Sequence, residues 1–552
     1  MTPEALSAAV LAATKAVFAE RGLSTDLLPA SVTVERPRNA GHGDYATNIA
    51  MRLAKAAGVA PRDLAAWIGA ALDGVEGVAR AEVAGPGFLN LTIEAAAQGE
   101  LASTIVTAGT AYGRTEALRG RRINVEFISA NPTGPLHLGH TRWAAVGDAL
   151  ARVLDAAGAE VTREFYVNDR GVQLDRFGAS ILAAAKGDPI PPDGYHGDYV
   201  VELADAIAAE APELLALRPD DQLAAFREEG YRRQVAAQQR TLADFGVHFD
   251  VWSSELSLYA SGAVERGLRR LQEQGHVYQA DGATWLRTTD FGDDKDRVLV
   301  KADGELTYFA SDIAYYVDKR ARGFDVCLYL LGADHHGYVG RLRAVAAGFG
   351  DDPDETVEVI IGQLVTLHGG RMSKRAGNLV TLDEAIALLG SDALRYALVR
   401  WSMDSPVDID VDVWAARTND NPVFYVQYAH ARLASLGRNA RELGVSLPPP
   451  AEIDYGLLSH EREGDLLRAL GEFPRVAAAA AELRAPHRVA RYLEELAGTY
   501  HRFYDVCRVL PSEHEDSPGP DLVHARLALC EATRIVLENG LGLIGVSAPD
   551  RM

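Results

Sequence analysis

The chain has 552 residues, more than a single hydrophobic core usually supports, so its length predicts roughly three or four domains. Hydrophobic residues make up 48% and charged residues 24%, and no apolar run of about 18 residues predicts a membrane span. The formal net charge of −22 argues against a nucleic-acid partner when taken alone. Because local basic patches make such contacts, the net charge does not exclude one.

The cysteine pattern argues against two kinds of site. Cys327, Cys507 and Cys530 are far apart, and no Cys-x-x-Cys pair occurs. The sequence therefore predicts neither a disulfide framework nor a cysteine-based zinc site. Such usage fits a reducing compartment, and Glu4 stands where a signal peptide would be basic, so we expect a cytoplasmic protein.

The first predicted unit, residues 1 to about 112, has an α+β pattern. Apolar spacing predicts a first helix that ends near Gly22 and further helices at about 48–57 and 64–72. The alternating stretch 78–93 contains a Gly-Pro-Gly turn and predicts a hairpin.

The second predicted unit, residues 113 to 404, contains two strand–helix–strand patterns, one at 122–167 and one at 326–361. A mostly helical insertion with its own short strands, at about 187–300, separates them. This arrangement predicts an α/β fold with one doubly wound parallel sheet that the insertion splits. Residues 405 to 552 carry long helical patterns and predict an all-α bundle.

The run Asn131-Pro-Thr-Gly-Pro-Leu-His-Leu-Gly-His140, called here the first signature, lies between a predicted strand and a predicted helix. When ATP adenylates a carboxylate, negative charge builds on the α-phosphate, and helix-start N–H groups with His137 and His140 can stabilise that charge. Gly139 would let an adenine ring lie close to the backbone. The alternatives are a turn with incidental histidines, or a pair of metal ligands that lacks a third ligand at sensible spacing.

The run Gly370-Arg-Met-Ser-Lys-Arg-Ala-Gly-Asn378, called here the second signature, also lies between a strand and a helix. Lys374 carries a compact charge on a flexible stem, which suits a loop that follows pyrophosphate as it leaves. Taken alone, the run could equally be a solvated basic loop.

Together the two runs resemble the HIGH and KMSKS signatures of class I aminoacyl-tRNA synthetases, although the second begins with Arg371 in place of lysine. Further segments are similar to the arginyl-tRNA synthetase family, and one of them matches the tetrapeptide that names the anticodon-binding domain of arginyl and cysteinyl enzymes. These segments are Gly43-Asp-Tyr-Ala-Thr-Asn48, the run from Glu126 to Arg142, Tyr166-Val-Asn-Asp-Arg-Gly-Val-Gln173, Gly332-Ala-Asp-His-His-Gly-Tyr338 and the tetrapeptide Asp392-Ala-Leu-Arg395.

The resemblance implies an arginine–tRNA ligase with a Rossmann-like catalytic domain. Such an enzyme activates L-arginine with ATP, as its Mg²⁺ complex, and transfers arginine from the adenylate to the 3′ end of tRNA(Arg). We expect no protein-bound zinc, no membrane association and a monomer. Two alternatives stay open, a cysteinyl-type ligase and a non-catalytic RNA-binding relative. The lack of a cysteine–histidine cluster argues against the first, and the presence of His137, His140 and Lys374 argues against the second.

For the arginine pocket, the resemblance implies Glu126, Tyr308 and Asp312 near the guanidinium and Asn131 near the α-amino group. Glu126 lies in an otherwise apolar strand, where a carboxylate is unfavourable unless it is paired, so it could await a cation. Its alternative is a structural pair with Arg122 on the same face of the strand. Asp312 could instead be a first-turn acid favoured by the helix dipole.

The resemblance also implies two larger sets of contacts. The predicted ATP ligands are His137, Gly139, His140, Met372, Ser373 and Lys374. The predicted tRNA contacts are Phe88, Asn90, Tyr425, Tyr428, Arg484, Arg488 and Arg491. Phe88 could stack on an unpaired base or belong to the hairpin core. The three arginines are predicted to share one helical face, which could contact phosphates or simply face solvent.

Overall fold

The structure is a computed structural model that describes residues 1–37, 42–335, 337–369, 380–511 and 517–552. None of the helices in these ranges combines the length and apolar character that a membrane crossing requires. The architecture is described below in chain order, from the N-terminal unit to the C-terminal bundle.

The N-terminal unit packs three helices against a small antiparallel sheet. Its elements are α1 (Pro3–Glu20), β1 (Tyr45–Thr47), α2 (Ile49–Ala57), α3 (Pro61–Leu72), β2 (Val78–Ala84) and β3 (Phe88–Ile93). Strands β2 and β3 form the predicted hairpin, and β3 also pairs with β1. Thr2 caps α1 by accepting a hydrogen bond from the Ala5 N–H. The unit has its own hydrophobic core, in which Leu64, Ile68 and Leu89 are fully buried.

The next part of the chain contains the first predicted strand–helix–strand pattern and four further helices. Its elements are α4 (Ala95–Ala108), β4 (Arg122–Glu126), α5 (Leu138–Ala156), β5 (Glu160–Val167), α6 (Val172–Lys186), α7 (Asp198–Glu210) and α8 (Pro219–Asp244). Strands β4 and β5 are parallel, as predicted, with α5 as the crossover. Helices α6, α7 and α8 share a small core around Phe177, Ile181 and Phe226.

The following stretch divides between two sheets. Its elements are β6 (Val251–Ser254), α9 (Glu255–Ala260), α10 (Ala263–Glu273), β7 (Val277–Ala280), β8 (Ala283–Leu286) and β9 (Arg297–Val300). Strands β7, β8 and β9 form a separate antiparallel sheet, whereas β6 pairs in parallel with β5. The stretch predicted as one insertion at about 187–300 therefore gives a strand to the main sheet. A four-residue strand carries too little periodicity to reveal such pairing from sequence.

The second half completes the main sheet. Its elements are α11 (Tyr308–Ala321), β10 (Val326–Gly332), α12 (Tyr338–Gly348), α13 (Pro353–Thr356), β11 (Val357–Gly362), β12 (Val365–His368), α14 (Leu382–Leu389), α15 (Ser391–Val399), β13 (Val407–Asp410) and α16 (Val411–Trp414). The five strands are parallel in the order β11-β10-β4-β5-β6, which confirms the doubly wound sheet. The strand order reverses between β4 and β10, and ligands bind in the crevice that such a reversal creates at the carboxyl ends of the strands.

The C-terminal part is the predicted helical bundle. Its helices are α17 (Pro422–Glu442), α18 (Glu461–Gly471), α19 (Phe473–Glu482), α20 (His487–Val506) and α21 (Pro520–Leu543). Its core is continuous with that of the main sheet through α5 and α15. Cys507 and Cys530 are buried in this part and Cys327 is buried in β10, and all three are free thiols.

The prediction that Arg484, Arg488 and Arg491 share one helical face is wrong for Arg484. This residue lies in the turn before α20 with φ at 52°, because α20 begins only at His487, after Pro486. Its guanidinium forms two hydrogen bonds of 2.8 and 2.7 Å with the carboxylate of Glu358. Arg488 and Arg491 are exposed on α20.

A buried ionic cluster joins α5 to α15. The carboxylate of Asp148 accepts hydrogen bonds from Arg395 and, at 2.7 Å, from Arg152, and it lies 3.4 Å from Nε of Arg163. Arg395, the last residue of the tetrapeptide, also donates to the carbonyl of Phe245 at 3.0 Å. Burial alone would raise the pKa of Asp148, but Arg395 and Arg152 outweigh burial and hold that pKa below its usual range.

Candidate active site

A cavity of about 840 Å³ opens at the carboxyl ends of β4 and β10, where the strand order reverses. Both histidines of the first signature line it, together with acidic and aromatic side chains. The structure brings together here six of the residues predicted for ATP and arginine: Glu126, Asn131, His137, Gly139, His140 and Asp312. A cavity of this size suits a small-molecule substrate pair.

The two histidines cap α5 reciprocally. Nδ1 of His137 accepts a hydrogen bond from the Gly139 N–H at 3.1 Å, and Nδ1 of His140 accepts one from the His137 N–H at 3.3 Å. The neutral rings, whose centroids lie 3.8 Å apart, therefore carry their protons on Nε2. These Nε2–H groups are the donors left for a ligand. Among the described residues, no group of His, Cys, Asp and Glu side chains is arranged to hold a metal ion.

Burial keeps both rings neutral near pH 7. It lowers the pKa of His137, and it lowers the pKa of His140 to about 4 with a further contribution from the neighbouring His137. The first signature thus offers uncharged donors beside the N-terminus of α5, an arrangement that stabilises developing negative charge.

The first signature also contacts the segment that follows the second one. The Leu138 N–H donates to the carbonyl of Val380, and the Leu382 N–H donates to the carbonyl of Leu136, each at 2.8 Å. The second signature itself, with Met372, Ser373 and Lys374, lies outside the described residues. These bonds, with the bridge between His137 and Thr381, fix the start of α14 against the first signature.

Glu126, the last residue of β4, has a partner that its sequence neighbourhood does not reveal. Its Oε2 accepts a hydrogen bond from Nζ of Lys319 at 2.6 Å, and its Oε1 accepts one from Ser129 at 3.1 Å. The alternative pair with Arg122 does not form, because Arg122 lies at the other end of the strand, 3.5 Å from Glu160.

Lys319 is a residue that the sequence interpretation missed. Its side chain is fully buried, and Nζ lies 4.3 Å and 4.0 Å from the ring centroids of Tyr315 and Tyr329, within cation–π distance. One signal could have found it: Lys319 follows Asp312 at the i+7 position and so lies on the same face of α11.

Asp312 differs from Glu126 because one of its oxygens has no partner. Oδ2 is buried and makes no hydrogen bond to any of the residues that the structure describes. Burial first, and then the charges of Glu126 and Glu255, raise the pKa of Asp312 to about 7, whereas Arg341 acts in the opposite direction. The first turn of α11 contains no acidic residue, so the alternative that Asp312 is a first-turn acid does not hold.

Two other predicted arginine contacts occupy different settings. Asn131 lines the cavity, and its Nδ2 donates to Oε1 of Gln173 at 2.9 Å. Tyr308 begins α11 with 64% of its surface exposed and is not among the residues that line the cavity. Its contact with arginine stays a prediction.

The predicted tRNA contacts lie on two separate parts of the surface. Phe88 begins β3 and is 39% exposed, so it does not belong to the hairpin core, and Asn90 lies two residues further along β3. Tyr425 and Tyr428 on α17 flank the ring of His501, with centroid distances of 5.1 and 6.1 Å.

Three family models match consecutive parts of the chain. The arginyl tRNA synthetase N-terminal domain matches residues 4–93, and the catalytic domain of class I (R) tRNA synthetases matches residues 102–187 and 217–399. The DALR anticodon-binding domain matches residues 426–552. The matched segments include the first signature, the cavity and the helical bundle.

Solved structures give the same result. A Campylobacter jejuni protein provisionally described as an arginyl-tRNA synthetase is 30% identical, with a TM-score of 0.75 over 83% of this chain and 100% of its own. The Thermus thermophilus arginyl-tRNA synthetase is 24% identical with a TM-score of 0.74, and both chains are covered completely. The Plasmodium falciparum enzyme, at 15% identity and a TM-score of 0.73 over the full length of both chains, also shares the fold.

Proposed function

Because the chain belongs to the arginyl-tRNA synthetase family, we propose that L-arginine and ATP react in the cavity at the carboxyl ends of β4 and β10. The protein is an arginine–tRNA ligase, a class I enzyme that uses ATP to join arginine to its tRNA. A cysteinyl-type ligase is not favoured, because the N-terminal and catalytic models are both those of arginyl enzymes.

In the first step, the carboxylate of arginine attacks the α-phosphorus of ATP, the bond to the bridging oxygen breaks, and pyrophosphate leaves. Charge that builds on the α-phosphate oxygens is stabilised by N–H groups at the start of α5 and by Nε2–H of His137 and His140. ATP enters as its Mg²⁺ complex. Lys374 draws the departing pyrophosphate, with Met372 and Ser373 beside it, a role that rests on the sequence alone.

The pocket selects the guanidinium by its charge and by the geometry of its hydrogen bonds. Lys319 already balances Glu126, so the carboxylate of Asp312, whose Oδ2 has no partner among the described residues, is the acceptor that an incoming cation completes. A guanidinium can donate to Asp312 and to the remaining acceptor positions of Glu126 through its planar fork, whereas the point ammonium of lysine leaves acceptors unmatched. The buried and partnerless Oδ2 of Asp312 is the observation that carries this proposal. Asn131 orients the α-amino group, and Tyr308 supports the guanidinium.

In the second step, a hydroxyl of the terminal ribose of tRNA(Arg) attacks the adenylate carbonyl, and AMP leaves. Phe88 and Asn90 contact unpaired bases from the N-terminal unit, and Tyr425 and Tyr428 contact the anticodon arm from the bundle. Arg488 and Arg491 are exposed and available for phosphates. Arg484 contributes less to phosphate binding, because its guanidinium already donates hydrogen bonds to Glu358. The enzyme works as a monomer in the cytoplasm.

ATP–pyrophosphate exchange across a panel of amino acids, with and without bulk tRNA, tests the whole assignment. We expect exchange with arginine only, and only when tRNA is present, as is characteristic of arginyl enzymes. Robust exchange with cysteine, or no exchange with any amino acid in the presence of tRNA, contradicts the proposal.

A further inference from the structure

The loop that begins the first signature is held by side chains from helices outside the main sheet. Nε2 of Gln238 in α8 donates hydrogen bonds to the carbonyls of Asn131 at 3.1 Å and Gly134 at 2.9 Å. The hydroxyl of Tyr199 in α7 donates to the carbonyl of Thr133 at 3.0 Å. Two side chains thus engage three carbonyls within four consecutive residues.

Both donors sit on rigid supports. Gln238 is 2% exposed and lies within the 26-residue helix α8. The Tyr199 ring packs against the shared core of α6, α7 and α8, with its centroid 6.4 Å from that of Phe177. Helix α8 also reaches the segment after the second signature, where Thr241 donates to Asp383 of α14 at 3.1 Å. One helix therefore contacts the chain beside both signatures.

The loop needs such support because its own backbone supplies little. Pro132 and Pro135 have no N–H, and the carbonyls of this loop accept hydrogen bonds from side chains elsewhere in the chain. The loop carries Asn131 at one end and leads directly to His137 at the other, so its position sets the position of both. A positioned group that moves by about 1 Å can cost about 100-fold in rate.

We propose that α7 and α8 brace the first signature, and that Gln238 and Tyr199 are positioning residues for arginine activation. They act through the backbone of residues 131–134 without touching substrate. This inference rests on the active site proposed above and gives the helical insertion a part in the reaction beyond scaffolding. Helix α7 lies between the two stretches that match the catalytic-domain model, whereas α8 lies within the second stretch.

The chain offers a closely matched control on the same helix. Gln222 of α8 is also buried, and its Nε2 also donates to two carbonyls, those of Leu215 at 2.6 Å and Leu217 at 2.9 Å. Those carbonyls belong to the insertion and not to the first signature. Gln238→Met and Gln222→Met each remove two similar hydrogen bonds while keeping the side-chain volume, so they differ mainly in which loop is released.

The test is steady-state arginine activation, measured by exchange with saturating tRNA, together with urea unfolding of each full-length variant. We expect Gln238→Met to lower kcat by about 10- to 100-fold with a smaller rise in the KM for arginine, because the loop positions Asn131 whereas Glu126 and Asp312 lie on other elements. Gln222→Met should retain wild-type kcat and KM at a similar loss of stability. Wild-type kcat in Gln238→Met overturns the inference, and so does an equal loss of kcat in both variants.

Tyr199→Phe removes a single oxygen and leaves the ring in its core, so it decides the question if Gln238→Met does not fold. We expect kcat to fall by about 5-fold, which corresponds to one hydrogen bond. An unchanged kcat in Tyr199→Phe, with Gln238→Met unfolded, overturns the inference. A wild-type enzyme without arginine-dependent exchange would be a failure of the proposed function, which the same assay shows before any variant is compared.

Discussion

Asp148 in α5 and Asp312 in α11 are both largely buried carboxylates of the same parallel-sheet domain, yet their surroundings differ. Asp148 accepts hydrogen bonds from Arg395 and Arg152 and lies close to Arg163, and these cations hold its pKa below the usual range. Asp312 has an oxygen without a partner in the described part of the chain, and burial raises its pKa to about 7.

The carboxylate of Asp148 stabilises the fold, whereas the carboxylate of Asp312 is available to a ligand. A buried carboxylate is favourable only with its counter-charge, and around Asp148 the fold supplies that counter-charge. Around Asp312 the fold supplies mainly other carboxylates, because Glu126 and Glu255 lie nearby and Lys319 is engaged with Glu126, while Arg341 offsets them only in part. We infer that arginine is the missing cation, and the same substitution at the two sites should therefore have opposite consequences.

The largest effect is expected from Asp148→Asn. This change leaves the guanidinium of Arg395 buried without its counter-charge, and breaking a buried pair costs about 3–5 kcal/mol of unfolding free energy. Urea unfolding measures the loss. Asp155→Asn, on the same helix in an exposed pair with Arg114, is the control and should cost less than about 1 kcal/mol. Equal losses at the two positions would show that Asp148 does not act through its buried cluster.

Asp312→Asn should weaken arginine binding without destabilising the fold. The change removes an uncompensated charge, so the melting temperature of the ligand-free protein should not fall. Arginine binding should weaken by about 1.5–3 kcal/mol, the usual contribution of a charged hydrogen bond, and appear as a higher KM. The KM for ATP should barely change, because its proposed ligands lie in the two signatures. A variant with unaltered arginine affinity would remove Asp312 from the pocket.

The pH dependence of arginine binding should follow Asp312. Only its ionised form attracts the guanidinium, so the KM for arginine should rise by up to about tenfold per pH unit as the pH falls below about 7. His140 cannot produce this change, because its pKa lies near 4. Asp312→Asn should abolish the dependence, and persistence of it in that variant would assign the titration to another group.

A rise in pH that strengthens arginine binding through Asp312 should lower the stability of the ligand-free protein. The folded-state pKa of Asp312 lies above its unfolded value, so the folded protein binds the proton more tightly. Asp312 therefore lowers the free energy of unfolding progressively as the pH rises from about 4 to about 7.

The smallest effect is expected from Tyr308→Phe. The side chain of Tyr308 is largely exposed at the start of α11, so loss of its hydroxyl should weaken arginine binding by about 0.5–1.5 kcal/mol at most. The KM for arginine, compared with that of Asp312→Asn, measures it. A loss as large as that of Asp312→Asn would mean that Tyr308 closes over the bound amino acid.

The sequence predicted those parts of the fold whose signals are local. The strand-like stretch of β4, the helix after the first signature and the next strand-like stretch are contiguous, and together they indicated the parallel pair β4 and β5. Strand β6 escaped prediction because only its pairing with β5, far away in the chain, identifies it as part of the sheet. Arg484 was misplaced because helical spacing continued through a turn in which Pro486 precedes the helix start.

The same distinction applies to the site. The first signature is one contiguous run, and the structure places its two histidines at the cavity. The partners of that run come from distant segments, as Lys319 and Gln238 both do. A buried lysine or glutamine in a helix resembles a surface residue in sequence. The group to which each one donates a hydrogen bond is therefore known only from the tertiary structure.

The three buried cysteines allow local opening of the structure to be measured by the rate of thiol labelling. Burial raises the pKa of Cys327 and Cys507 to about 11 and that of Cys530 further, so a disulfide reagent reaches a reactive thiolate only when the surrounding structure opens. One thiol lies in the main sheet and two lie in the bundle, whereas the N-terminal unit has a separate core and no cysteine. The rate of thiol labelling therefore measures local opening of the catalytic and anticodon-binding parts. A molecule whose N-terminal unit alone has melted would label at the rate of the intact enzyme.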